Sequence, residues 1–354
     1  MNAYPRINIH LDAITENTQH MVSVCAKHNV KPAGVTKLAC ALPEVAKAIL
    51  AGGITLLADS RLRNLKKIKN LHSQTLLLRL PALSEVDDVV EFADISLNSE
   101  LVTLQALSDA ALEKGKRHQV IVMHDLGDLR EGGFFEEETL ALCREAICLP
   151  GIELVGLGTN LACYGGVEPT YDNQNQLVAL ARQIEEENNI TFQFISGASS
   201  AGLGLMMRSE LPSGVNQLRL GASLLMGIGL NDDPVPHTRQ DTFQLEAEII
   251  EIKVKPSVPV NSTALDAFGN KPEFVDRGLR RRALCAIGKQ DVDISQLTPV
   301  DKNIIVIGGS SDHLILDIND CSQDYKIGTA VKFDLSYSAV LQCMTSEYVY
   351  KHMI

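Results

Sequence analysis

A (β/α)8 TIM barrel followed by an all-β domain is the fold class this sequence predicts, and three observations predict it. Short Leu-rich or β-branched runs alternate with amphipathic helical patterns from residue 31 onward, eight such runs can be counted, and the alternation stops near residue 235. Eight parallel strands with crossover helices in about 190 residues suit a closed barrel better than an open doubly wound sheet, which uses fewer strands. The expected division is therefore 1–235 for the barrel and 236–354 for the C-terminal β domain.

In chain order the expected strands are KPAGVTK (31–37), ITLLAD (54–59), QTLLLRL (74–80), DISLN (94–98), HQVIVMHD (118–125), IELVGLGTN (152–160), TFQFISGA (191–198) and NQLRLGA (216–222). Between them lie PEVAKAILAGG, SEVDDVVEFA, SELVTLQALSDAALEKG and YDNQNQLVALARQIEEENN, long enough for crossover helices. Several open on Ser or Pro and two close on Gly, the residues that favour helix starts and stops. The charge runs RLRNLKKIK and IEEEN read as solvated helix faces. NDDPVPHT (231–238) reads as a linker, after which FQLEAEIIEIKVKPSVPV, ALCAIG, NIIVIGG, HLILDI and AVKFDL read as strands.

Composition narrows the function. The 354 residues are 45% hydrophobic and 21% charged with a formal charge of −12, a globular composition that argues against nucleic-acid backbones or anionic membranes as partners. The eight cysteines form no CxxC pair or even framework, and no run is long and apolar enough to span a bilayer, so reduced thiols in a cytoplasmic protein are expected. No metal site is expected.

Reactive groups of such barrels project from the C-terminal ends of the strands. Lys37 ends the first strand in GVTKLACA: it is either a rim residue reaching solvent or an amine whose chemistry is used. SGASSAG (196–202) after strand seven and RLGASLLMG (219–227) at strand eight are rich in small residues that let backbone N–H groups approach an anion, though tight turns alone account for either. Arg219 would point into the mouth between the lysine and this loop pair.

These segments resemble the motifs of the fold-type III pyridoxal-phosphate enzymes, the alanine racemase superfamily, and most closely its ornithine racemase branch, over nearly the whole chain. The resemblance implies pyridoxal 5'-phosphate as cofactor, with Lys37 forming the internal aldimine. It implies Ser200, with Ser199 in place of the usual asparagine, and the amides of Gly221 and Ala222 on the phosphate, and Arg219 on the pyridine nitrogen. HDLGDLREGGF (124–134) is similar to the segment whose arginine, here Arg130, helps bind the substrate carboxylate, and SSDHLILDI (310–318) to the partner-subunit segment bordering the site, with Asp312 at its acidic position.

There are departures. Asn160 stands where alanine racemases have a ring-stacking histidine, Ala41 and Ser346 where they have phosphate-binding tyrosines, and Met123 where they have a modified lysine bracing the substrate arginine. Racemisation needs a second acid–base group on the face opposite the lysine. Residues 239–324 hold no tyrosine before Tyr325 to supply it, so Asp266 in DAFG is the first candidate, with Asp291 and Asp312 in reserve and a plain turn role for Asp266 equally open.

The expectation is a racemase for basic amino acids, ornithine and then lysine or arginine, acting as a head-to-tail homodimer in which the β domain completes the partner's site. The alternatives are a non-enzymatic pyridoxal-phosphate carrier, which would lack the β domain, alanine racemase itself, or a decarboxylase of the same superfamily. Cys285 and Cys321 lack a motif recognisable for the last.

Overall fold

The computed structural model describes residues 3–271 and 273–354. They fall into two units, Leu11–Gln240 and a second made of Asp241–Ile354 with the N-terminal residues through His10.

The first unit begins with α1 (Leu11–Lys27) and then alternates, after a strand β1 (Arg6–Ile9) that belongs to the second unit. It runs β2 (Lys31–Val35), α2 (Pro43–Ala51), β3 (Leu56–Asp59), α3 (Leu62–Ile68), β4 (Gln74–Leu77), α4 (Val86–Phe92), β5 (Ile95–Asn98) and α5 (Leu101–Glu113). It continues through β6 (His118–Met123), α6 (Glu136–Cys148), β7 (Ile152–Gly158), α7 (Tyr171–Asn188), β8 (Phe194–Ser199), α8 (Leu203–Met207), β9 (Gln217–Leu220) and α9 (Ala222–Leu225). Strands β2 to β9 form a closed parallel barrel in which β9 pairs back onto β2, with Ala33 opposite Arg219. All eight expected strands are present.

Both faces of each strand are buried, which is why the sequence reads as continuous apolar runs. Ala33, Val35, Leu56, Ala58, Leu76, Ile95, Leu97, Ile121, Met123, Val155 and Phe194 form one buried cluster. Their sequence neighbours Val122, Leu157 and Ile195 pack instead with Cys143 of α6 and Leu177, Val178, Ala181 and Ile184 of α7. The two-residue period of a strand thus sorts side chains between one cluster and the helices. Burying each Val, Leu or Ile in this way contributes about 1.5–3 kcal/mol. Met123 lies wholly inside the first cluster, so an apolar group fits there without a charge to accommodate.

In the second unit β1 pairs antiparallel with β10 (Phe243–Pro256) and parallel with β16 (Tyr350–Met353). The main sheet also holds β11 (Leu279–Cys285), β12 (Leu297–Pro299), β13 (Ile305–Gly309), β14 (Leu314–Asp317) and β15 (Ala330–Leu335), in the order β12-β15-β10-β11-β14-β13. Among the described residues one α-helix, α10 (Tyr337–Thr345), interrupts the β pattern and is started by Ser336, whose hydroxyl accepts from the Ala339 N–H at 3.2 Å.

Two expectations are corrected by the structure. The first strand of the chain joins the β unit rather than the barrel, because RINI finds its partners near residues 245 and 351. The expected linker 231–238 lies inside the barrel unit, which runs to Gln240. There Val235 N–H and the Thr238 hydroxyl both donate to Gly227 O, at 2.8 and 3.0 Å, and close the segment onto the end of α9.

The barrel wall also carries a polar chain. His118 at the start of β6 is buried with Nε2 2.8 Å from Ser96 Oγ, and Asn98 Nδ2 donates to the same hydroxyl at 2.9 Å. Burial, helped by Lys116, pushes the His118 pKa down to about 4. The unfolded chain therefore takes up a proton below the ordinary histidine value while the folded barrel resists it until about pH 4. Stability is unaffected above about pH 6.5, falls progressively below it, and levels off once pH passes the folded value, a loss of about 3 kcal/mol. Urea unfolding at pH 7 and pH 4.5 will show this slope, and His118→Gln, which keeps a donor for Ser96, will flatten it.

Candidate active site

The C-terminal ends of β2, β3, β6, β7, β8 and β9 bring the expected residues of the barrel to one rim. At β2, Thr36 donates its backbone N–H to Ala58 O at 2.9 Å and its hydroxyl to Asp59 Oδ2 at 2.7 Å, so the residue before Lys37 is pinned to β3. Asp59 is wholly buried, and its other oxygen accepts from Asn64 Nδ2 at 3.0 Å and Arg61 N–H at 2.9 Å. Burial pushes the Asp59 pKa up, and the hydrogen bonds from Thr36, Asn64, Arg61 and Ser60 pull it back. Lys37 opens a short 3-10 turn (Lys37–Ala39) and is half-buried. Its carbonyl accepts from Cys40 N–H at 3.1 Å, but among the described residues its side-chain amine has no hydrogen-bond or ion-pair partner, which leaves it available to a ligand. Cys40 and Ala41 follow in left-handed backbone (φ 50° and 47°), turning the chain sharply after the lysine.

Arg219 on β9 is 4% exposed. Its Nη1 donates to Ser196 Oγ on β8, and its Nη2 to Thr159 O, just past β7, at 2.5 Å. Burial lowers its pKa to about 10, and the Glu131 carboxylate acts in the opposite direction. Arg219 is therefore still a cation at neutral pH, held in place by two strand ends.

The last residues of β8 and β9 meet at Ser200. Its buried hydroxyl accepts from the N–H groups of Gly221 and Ser223, both at 3.3 Å, and lies 3.1 Å from Ser223 Oγ. Ser199 turns inward on its own loop, its hydroxyl accepting from Ala201 N–H at 3.3 Å. At Gly221 an added Cβ would stand 3.2 Å from Val35 Cβ, so the small residue lets β9 run close against β2. Ser199, Ser200, Gly221 and Ala222 thus form one corner of small groups with hydroxyl and amide donors.

On the β6 and β7 side, Asn160 is buried, its Oδ1 3.6 Å from Cys163 Sγ, and its Nδ2 has no partner among the described residues. Arg130 is paired through two nitrogens with Glu131, the Nη2 contact measuring 2.5 Å. That pairing raises the Arg130 pKa against the opposing effect of burial. Glu131 acts on both arginines, so Arg130, Glu131 and Arg219 form one electrostatic group.

The remaining expected residues lie in the second unit. Asp266 sits in the segment between β10 and β11, where its Oδ1 accepts from Phe268 N–H at 2.9 Å and Asn270 N–H at 2.8 Å, with Lys289 Nζ at 3.8 Å from Oδ2. These contacts, the Asn270 amide foremost, hold its carboxyl below the ordinary range. Asp312 is exposed and takes His313 Nδ1 at 3.0 Å with the hydroxyls of Ser310 and Ser311. The Ser346 hydroxyl donates to buried Asp291 at 2.8 Å. Residues 288–291 run beside 310–311, joined by Lys289 N–H to Ser310 O and Gln290 N–H to Ser311 O, both 3.0 Å. The three acidic candidates therefore border one short stretch of the β unit.

A family model for the alanine racemase N-terminal domain matches residues 9–228. The chain is 43% identical over 360 residues to ornithine racemase of Acetoanaerobium sticklandii, covering 99% of this chain and all of that one. The chain belongs to the alanine racemase family. It is 38% identical to lysine racemase of Thermotoga maritima over 98% of each chain, and the racemase fold is shared with alanine racemase of Clostridium difficile at a TM-score of 0.79, with 19% identity over 100% of this chain and 96% of that one. Alanine racemase of Bartonella henselae, in a structure with covalently bound pyridoxal phosphate, superimposes at a TM-score of 0.76 with 16% identity over 99% of this chain and all of that one. The protein is an amino-acid racemase, an isomerase.

Three carboxylates that hold this rim together went unnoticed in the sequence: Asp59 behind Lys37, Glu131 on Arg130, and Asp128 bonded to the loop after β7. The signal for Asp59 was present, because a carboxylate closing an otherwise apolar strand (LLAD) needs a partner if it is buried. Removing it in Asp59→Ala takes the side-chain acceptor from the buried Asn64 amide and leaves the Thr36 hydroxyl only the longer bond to Ala58 O at 3.3 Å. We expect a loss of about 2–4 kcal/mol in unfolding free energy by urea titration, with Asp59→Asn losing less.

Proposed function

We propose that the racemase interconverts the L and D forms of a basic amino acid, ornithine first and then lysine or arginine, at the barrel rim with pyridoxal 5'-phosphate held through Lys37. One observation carries the reading: an unpartnered lysine amine follows β2, and a buried guanidinium projects from β9, the strand paired with it. The residues present fit the cofactor. Lys37 offers an amine for its aldehyde, Arg219 a fixed cation for its ring nitrogen, and Ser199, Ser200, Gly221 and Ala222 a corner of donors for its phosphate. The unpartnered Asn160 Nδ2 suits a polar group of the ligand. Ser346 and Asp312 are proposed contributions of the β unit.

When bound, pyridoxal phosphate supplies an electron sink for the pair left behind at Cα. The chain supplies the rest. The Lys37 amine moves the proton on one face of Cα. Arg219, charged at neutral pH, would hold the ring nitrogen by a hydrogen bond without handing over its proton, a role that would favour a single proton exchange over deeper rearrangement. Arg130 takes the substrate carboxylate as a planar two-point partner. Asp266, with Asp291 and Asp312 as reserves, is proposed for the opposite face; its lowered pKa leaves it in the ionised form that accepts a proton. Relatives named as ornithine racemase and lysine racemase support a basic substrate, and an acidic stretch in the β unit suits a terminal ammonium.

We further propose a head-to-tail homodimer in which the β unit completes the partner's site, located in the cytoplasm. All eight cysteines are free, as in a reducing compartment, and no helix among the described residues is long and apolar enough to cross a membrane. Sedimentation of the active enzyme will give a dimer; a fully active monomer would remove this arrangement.

Deuterium incorporation at Cα from D2O, measured for both enantiomers of a panel of amino acids, tests the activity. Ornithine should exchange fastest, then lysine and arginine, with alanine slower, and Lys37→Ala should lower the rate at least about a thousandfold. Alanine exchanging faster than ornithine would remove the basic-substrate assignment. Exchange undiminished in Lys37→Ala would remove the lysine from the mechanism.

A further inference from the structure

Asp128 is 1% exposed, yet its carboxylate forms no ion pair among the described residues. It is satisfied instead by four backbone N–H groups of the loop after β7. Oδ2 accepts from Cys163 at 3.2 Å and Tyr164 at 3.0 Å, and Oδ1 from Gly165 at 3.0 Å and Val167 at 3.4 Å. A buried carboxylate with this many charge-assisted donors binds two segments far more firmly than a neutral contact would. The segments joined are the two that matter at this side of the rim. Asp128 lies two residues before Arg130, and the loop it holds leaves β7 through Thr159, whose carbonyl accepts from Arg219, and Asn160.

The backbone on both sides is costly to hold without such restraint. Leu129 and Ala162 are in left-handed conformation (φ 56° for each), which L-residues other than Asn and Asp avoid. Asp125 restrains the first of these, its Oδ1 accepting from Gly127 N–H at 2.8 Å and Leu129 N–H at 3.2 Å. Close approach is built in as well: a Cβ on Gly165 would stand 2.8 Å from Asp128 O. Arg130 itself is 42% exposed and bonded only to its neighbour Glu131 among the described residues, so where its guanidinium points depends on where the backbone of this loop is held.

We infer that Asp128 is a positioning residue that sets the placement of Arg130 for the substrate carboxylate by stapling the loop after β6 to the loop after β7. This rests on the reading of Arg130 as the carboxylate-binding group. Asp128 does not touch substrate. It acts through Arg130 and through the loop that begins at Asn160.

Two ligands that differ in the carboxylate separate this role from a merely structural one: ornithine and 1,4-diaminobutane, each titrated into the holoenzyme and followed by the absorbance of the bound cofactor. Asp128→Asn should weaken ornithine about tenfold and leave 1,4-diaminobutane within about twofold, because only the carboxylate-bearing ligand uses Arg130. Gly165→Ala, which keeps the carboxylate but forces the loops apart, should reproduce that selective loss. Arg130→Ala should show it too, and adding Asp128→Asn to Arg130→Ala should cost ornithine nothing further. Amide hydrogen exchange of residues 163–167 should quicken in Asp128→Asn with or without cofactor. If Arg130→Ala is selective for ornithine while Asp128→Asn and Gly165→Ala weaken both ligands equally or neither, the staple does not position Arg130 and the inference falls. If Arg130→Ala itself does not discriminate, the carboxylate reading of Arg130 fails first and the inference falls with it.

Discussion

A guanidinium buried at the end of a barrel strand is the constraint around which this site is organised. Taking an arginine out of water costs several kcal/mol unless its donors are met, and Arg219 meets them at the ends of two neighbouring strands, on Thr159 O and Ser196. Burial lowers its pKa without discharging it, so a permanent cation stands at the rim. The requirement propagates outward. β7 must end where its carbonyl faces β9, β8 must present Ser196, and the next residues of β8 must turn at Ser200 so that its hydroxyl can collect the amides of Gly221 and Ser223. Glu131 offsets part of the positive charge while holding Arg130, which couples the two arginines through one carboxylate.

Strain in the barrel unit gathers at the same rim. Most left-handed residues elsewhere are Asn, Asp or His, which tolerate that backbone, whereas Cys40 and Ala41 after Lys37, Leu129 before Arg130 and Ala162 after Asn160 do not. Backbone held against its preference persists only where surrounding bonds over-determine it. Here the bonds come from carboxylates set back from the rim: Asp59 behind the lysine turn, Asp125 and Asp128 behind the arginine loop. At the barrel rim Asp59, Asp125 and Asp128 are consumed by the scaffold, while the Lys37 amine is left without a partner among the described residues.

How much of this was legible in the sequence follows from which partners were local. Each barrel strand announced itself because both faces are apolar and the next helix begins within a few residues. β1 did not, because four residues of RINI carry no sign that their neighbours are β10 and β16. The pairing is decided by residues more than two hundred positions away. Lys37, Ser200 and Arg219 could be named because strand ends mark the rim of any such barrel. Asp128 could not, since its partners are backbone N–H groups, which every sequence contains and none advertises. Glu131 was hidden for a different reason: an acid beside an arginine on a loop usually means a solvated pair, and only its 11% exposure gives it weight.

The central claim is that the unpartnered amine of Lys37 is the attachment point for the cofactor. Borohydride reduction of the enzyme loaded with pyridoxal 5'-phosphate, followed by peptide mass spectrometry, tests it most directly. The account predicts one pyridoxyl group on the peptide containing GVTKLACA, at Lys37, with loss of label in Lys37→Ala. A label on a different lysine, or an unlabelled protein, would contradict it.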